Sequence, residues 1–204
     1  MRVTFPSRFF LGLGLAVMLS LAGSPYAQSL DNGALVRALQ SGGYVLLMRH
    51  ASSPAQPPDA DTANADNPDR ERQLDETGRR TATAMGIALR RLAIPIAGVE
   101  SSPAYRTRET ARLAGFSDIK ISAFLGNQGM QNSSGSNTAQ LRDSLSAAVP
   151  GANRLLITHS PNIAAAFPDL SPPVEQGEIL VFDPQVSVTQ PVSRISIDEW
   201  PDLK

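Results

Sequence analysis

The sequence has 204 residues, 42% hydrophobic and 18% charged, which suits one ordinary globular domain and argues against a disordered chain. Its formal net charge of −1 comes without any basic stripe, which argues against a nucleic-acid partner because phosphate-backbone binding needs clustered Lys and Arg. The absence of cysteine excludes disulfides, zinc–thiolate sites and a thiol nucleophile.

Arg2 and Arg8 precede an apolar run from Phe9 to Ala22, followed by Gly23-Ser24-Pro25-Tyr26-Ala27. A positive start, a short apolar stretch and small residues after it read as a signal peptide over residues 1–27, cleaved after Ala27. The run is shorter than the ~20 residues that span a bilayer. The expectation is a periplasmic or secreted protein with no stable membrane insertion once the signal is removed. Gly12-x-Gly14 lies inside the apolar run, so it is not a nucleotide loop. Residues 28–204 then make one domain.

Leu30, Ala34, Leu35, Ala38 and Leu39 recur at helical spacing, and Ser41-Gly42-Gly43 stops that helix. Tyr44 to Met48 is a continuous apolar run, the pattern of a strand buried on both faces, and it leads directly into Arg49-His50. Ala51 to Gln73 is polar and rich in Pro, Asp and Asn, too long for a plain connection; a solvated loop and an active-site lid both fit it. Asp75 is suited to cap a helix whose inner face is Ala82, Met85, Ala88, Leu89 and Leu92, with Pro95 beyond its end.

Ile96 to Ser101 predicts a strand, and Ser102-Pro103 the cap and first residue of a helix running to Leu113 and closed by Gly115. Ile119 to Phe124 predicts a strand, Gly126 to Ser136 a loop, and Thr138 to Val149 a helix ended by Pro150-Gly151. Leu155 to Thr158 is another buried strand, ending at His159, and Ser160-Pro161 begins a short helix through Ala166. Glu178 to Phe182 and Val192 to Ile197 complete the strands, and the Trp200-Pro201 tail reads as a simple end. Strands alternating with helices, with no polar alternation in the core strands, predict a three-layer α/β/α sandwich around a mostly parallel sheet.

Ligands of open α/β sheets collect at the carboxyl ends of strands. Three such ends carry Arg49-His50, Ser101-Ser102-Pro103-Ala104-Tyr105-Arg106 and Thr158-His159-Ser160-Pro161, and the only two histidines both lie there. Phosphoryl transfer needs positive charge and positioning. Arg supplies a permanently charged planar fork of donors. A neutral imidazole can attack phosphorus, and a second one can donate to the transferring oxygens when protonated. Two histidines at different strand ends, with no evident carboxylate beside them, make a poor metal site.

In four ordered segments the chain resembles the histidine phosphatase superfamily, the phosphoglycerate mutase-like enzymes, of the branch 1 type. The first is Leu46-Leu47-Met48-Arg49-His50, similar to the family's apolar strand ending in Arg-His-Gly. The second is Leu74-Asp75-Glu76-Thr77-Gly78. The third, Ser101 to Ala111, is similar to Ser-Ser-Pro-x-x-Arg-Ala-x-x-Thr-Ala, and the fourth is Thr158-His159 with the residues after it. The resemblance implies a phosphoglycerate mutase-like fold and a metal-independent phosphatase acting on a small phosphorylated substrate, with no cofactor. It makes His50 a transiently phosphorylated nucleophile and Arg49, Arg106 and His159 the phosphate pocket.

The chain departs from the family at three places. Ala51 stands where the family has glycine. The long loop after His50 is its own. The glutamate that many relatives use as proton donor has no counterpart, since Ile119 to Arg142 contains no acid and Asn127 falls near its place. Glu178, Glu100 and Asp118 are the candidate proton donors. The missing acid leaves a second reading open, a non-catalytic phosphate-ligand binding protein of the same fold.

Overall fold

The structure, a computed structural model, describes Met1 and residues 30–59, 64–67, 70–126 and 134–204. Residues 2–27 of the expected signal peptide, and Asn127, lie outside the described residues.

Six strands form one sheet: β1 (Val45–Arg49), β2 (Ile96–Ser101), β3 (Ile119–Ile121), β4 (Asn153–Thr158), β5 (Ile179–Phe182) and β6 (Ser193–Ile195), in the spatial order β3-β2-β4-β1-β5-β6. β1, β2, β3 and β4 run parallel, β5 joins antiparallel beside β1, and β6 pairs antiparallel with β5. Five α-helices are described: α1 (Asn32–Ser41), α2 (Glu76–Arg91), α3 (Tyr105–Leu113), α4 (Ser134–Ser144) and α5 (Ser160–Ala166). The predicted α/β sandwich is therefore the observed one, with an antiparallel edge added.

The period-two geometry of strands sends alternate side chains to opposite faces, and both faces are buried. Leu46, Met48, Leu155, Ile157, Ile179 and Val181 face one core, where α1, α2 and α3 add Leu35, Leu39, Met85, Leu89 and Ala111. Val45, Leu47, Leu156, Leu180 and Phe182 face the other, where α4 and α5 add Leu141, Ile163 and Ala166. The apolar runs read from the sequence are apolar because neither side of them meets water.

Two acids cap helices, Asp75 as expected and Asp31 in addition. Asp31 accepts the Ala34 N–H at 2.8 Å, and Asp75 accepts the Gly78 N–H at 2.7 Å. Asp75 also accepts the Ser52 hydroxyl at 2.7 Å, which ties the start of α2 to the segment after His50. Gly78 is required there, because a Cβ on it would lie 2.2 Å from the Ser52 carbonyl oxygen.

Several boundaries differ from those predicted. α3 begins at Tyr105 with Ala104 as its cap position, and Ser102 does not cap it. The Ser102 hydroxyl instead meets His159 Nε2 at 2.8 Å and accepts the Ala104 N–H at 3.2 Å. The strand predicted over Ile119–Phe124 stops at Ile121, and Ala123–Leu125 form a 3-10 turn that buries Leu125. α4 starts at Ser134, four residues before the predicted start, and ends at Ser144 rather than Val149. The tail is structural in a stronger sense than expected: Trp200 is fully buried against α2, and Arg91 donates to the carbonyls of Trp200, Pro201 and Leu203. Among the described residues no helix is long and apolar enough to cross a membrane.

Candidate active site

β2, β4 and β1 are parallel neighbours, with Arg49 paired to Thr158 and Ser101 to Ile157. The residues just past their carboxyl ends, His50, His159 and Ser102, therefore emerge side by side on one edge of the sheet. α3 follows β2 and brings Arg106 over them. The structure thus gathers three of the four residues singled out in the sequence, His50, Arg106 and His159, into one hydrogen-bonded cluster.

The bonds fix how each ring is protonated. His50 Nδ1 lies 2.8 Å from the Ala51 carbonyl oxygen, which can only accept, so Nδ1 carries the proton. Its Nε2 is left with a lone pair, which accepts from Arg106 Nε at 3.2 Å. Arg106 Nη2 donates to His159 Nδ1 at 2.9 Å, so the His159 proton sits on Nε2 and is donated to Ser102 Oγ at 2.8 Å. The two rings meet edge to face with centroids 5.3 Å apart. One guanidinium therefore holds the lone pairs of both imidazoles.

His50 and His159 are only 4% and 1% exposed. Burial, and then the nearby guanidinium charges, push His50 down to about 4 and His159 to about 3, so both rings are neutral near pH 7. Burial also lowers Arg49 and Arg106 from the usual arginine value, a direction that still leaves a guanidinium charged.

Arg49 reaches the pocket differently. Its Nη1 donates to the Val174 carbonyl at 2.7 Å, and its Nε is buried without a protein partner. That orphaned donor, on a cation whose charge acts on both histidines, suits an incoming anionic oxygen. Ala51, in the glycine position, is fully buried in the core, its N–H donated to Thr110 Oγ1 at 3.2 Å, so the methyl group is accommodated.

The three candidate proton donors stand elsewhere. Both carboxylate oxygens of Glu178 are bound by Arg194, at 2.6 and 3.0 Å, and one also accepts the Glu175 N–H. Glu100 is bound by Ser122, Lys120 and Arg154; burial alone would raise it, but these bonds outweigh that and hold it below the usual carboxylate range. Asp118 is exposed just before β3, at the amino end of the parallel strands and so opposite the histidines. None of the three is hydrogen-bonded to the cluster.

Two further contributors carry little mark in the sequence. Arg72 donates to the carbonyls of Pro54 and Ser53, and its charge bears on His50, His159, Arg49 and Arg106 alike. In the sequence it is one polar residue in a polar stretch, and only its position just before buried Leu74 marks it. Ser102 was read as a helix cap; the competing signal was the adjacent strand end. Among the described residues, no group of three His, Asp or Glu side chains could hold a metal ion.

Residues 45–165 match the histidine phosphatase superfamily (branch 1). Among curated proteins, none matches the sequence. A SixA protein of Agrobacterium tumefaciens superposes with a TM-score of 0.52 at 20% identity, over 76% of this chain and 99% of that one. The protein histidine phosphatase SixA complexed with tungstate gives 0.48 at 20% identity, over 74% and 92%. A SixA protein from Nakamurella multipartitia gives 0.47 at 24%, over 69% and 83%. The first of these shares the fold seen here, and the sequence match extends over more than half of the chain: the protein belongs to the histidine phosphatase superfamily, branch 1.

Proposed function

We propose that this chain, phosphatase-type by family, hydrolyses phosphomonoesters or related phosphoryl groups of small substrates through a phosphohistidine on His50. The observation that carries this reading is the Nδ1–H bond from His50 to the Ala51 carbonyl. It holds the ring in the tautomer whose Nε2 lone pair opens among the guanidinium groups, where a phosphoryl group would be held.

The donors of Arg106 hold the ring, the charge of Arg49 acts on it and the Arg49 Nε is unpartnered, so both guanidinium groups can supply charge for the equatorial oxygens. A phosphoryl oxygen that takes over the bond from Arg106 Nε frees the lone pair for attack. His159, neutral and accepting from Arg106, shapes the opposite wall. The N-terminal residues 1–27 fit a cleaved export signal, which would put the domain in the periplasm or outside the cell.

The test is covalent labelling. Substrate carrying an isotopic phosphoryl group should leave an acid-labile label on the wild-type protein and none on His50→Ala. Normal turnover by an unlabelled wild type would rule out the phosphohistidine. Among the described residues no carboxylic acid is bonded to the cluster, which favours the second reading, a phosphate-binding protein; it predicts phosphate binding without turnover of any substrate in a broad panel.

A further inference from the structure

Passing a phosphoryl group through a histidine involves two departures, and the hydrogen bonds around His50 and His159 treat them differently. Building on the reading of His50 as nucleophile, we propose that the site acts on activated phosphoryl compounds. These are acyl phosphates, phosphoric anhydrides and aryl phosphates, whose leaving group departs as a stabilised anion. Esters of ordinary alcohols are poor substrates.

In the first step His50 Nε2 bonds to phosphorus, the bond from phosphorus to the leaving oxygen breaks, and the electron pair departs on that oxygen. An alkoxide needs a proton as it forms; a carboxylate, phosphate or acidic phenolate does not. The imidazole N–H groups cannot provide one, because both are turned away from the cluster. That of His50 goes to the Ala51 carbonyl at 2.8 Å and that of His159 to Ser102 Oγ at 2.8 Å. Towards Arg106 both rings present lone pairs.

Among the described residues, the other donors in the cluster are the guanidinium N–H groups, which stabilise charge without releasing protons, and the Ser102 hydroxyl, which accepts from His159 and the Ala104 N–H and is a far weaker acid than a carboxylic acid. Glu71 and Glu175 are carboxylates whose charge bears on the pocket arginines. Glu71 acts on Arg106, and its Oε2 already accepts the Tyr105 N–H at 2.9 Å. Glu175 acts on Arg49 from an exposed position.

The second step makes no such demand. Water attacks phosphorus, the bond from phosphorus to Nε2 breaks, and its electron pair returns to the ring. Nδ1 has kept its proton against Ala51 throughout, so the ring leaves as neutral imidazole. The proton lost by water goes to the phosphate product or to solvent. The site therefore completes dephosphorylation of His50 unaided, while its first step depends on what the substrate brings.

The test is a leaving-group series on the full chain: dinitrophenyl, nitrophenyl and phenyl phosphate and a simple alkyl phosphate, with acetyl phosphate as an acyl donor. We expect kcat/KM to fall by at least about 10²-fold from nitrophenyl to alkyl phosphate, the range general acid catalysis would otherwise supply. Acetyl phosphate should label wild type and not His50→Ala. The same steep series is expected from Glu71→Gln.

Label on His50 together with values within about tenfold across the series, a spread too small for an acid-free site, overturns the leaving-group proposal alone. So does a shallow wild-type series that becomes steep in Glu71→Gln, which would identify Glu71 as the donor. Turnover without label overturns the nucleophile reading itself.

Discussion

Arg106 spends two of its donors on two imidazoles, and that choice fixes their charge. A protonated ring could not accept from a guanidinium, so burial and hydrogen bonding agree that both histidines are neutral in the native state. In an unfolded chain each would titrate near 6.5, whereas here they lie at about 4 and 3. Between those values the unfolded state binds protons that the native state refuses. Stability is thus fully present above the unfolded value and is lost as pH falls through the window.

From pH 7 to pH 5 each histidine should cost up to about 2 kcal/mol, at about 1.4 kcal/mol per pH unit. The chain has only these two histidines, and pH 5 is still above the ordinary carboxylate range, so the effect is theirs. The midpoint of urea unfolding should fall over that interval, and His159→Asn should flatten the fall. Equal midpoints at pH 5 and pH 7 would contradict the buried, neutral pair.

Individual elements were legible where a local rule and the tertiary structure agreed. The strand Ile96–Ser101 and the helix Ser160–Ala166 have the predicted bounds, and Asp75 caps α2 as its position required. Pattern failed where a side chain answered to a distant partner. Ser102 has the chemistry of a helix cap, but His159 from another strand claims its hydroxyl, and α3 starts later. Ile119–Phe124 reads as a strand because all its apolar residues look alike in one dimension, yet Phe124 and Leu125 turn into the core beneath α4 and α5. The cluster was legible as residues on strand ends, but the bond directions, the part of Arg72 and the pairing of Glu100 and Glu178 were not, since each depends on neighbours far along the chain.

Gly78 is the element-scale test. It marks the place where the first turn of α2 meets the segment after His50, with no room for a methyl group. Gly78→Ala should lower stability by about 1–3 kcal/mol, the usual cost of overpacking, although alanine favours helix. A chemical-denaturation midpoint unchanged or raised would show that the contact is looser than its geometry.

Across the molecule, one sheet carries two cores, and the face under α1, α2 and α3 is completed by the segment from Ile195 to Leu203. Trp200 and Leu203 belong to that core, with Ile195 and Ile197 leading to them. Trp200→Ala should cost about 3–5 kcal/mol in thermal or urea unfolding, the range for emptying a large buried aromatic site. Trp200→Phe should be much milder, because the indole N–H is buried without a partner and its loss removes no bond.

The buried tail sets an order of events during synthesis. The strand that leads into His50 emerges early, but the layer that backs it stays open until the segment 200–203 is free to fold inward. Packing of that layer therefore waits until Trp200 and Leu203 have cleared the ribosome, and a tag inserted beside the packed Leu203 would need a spacer to leave it seated.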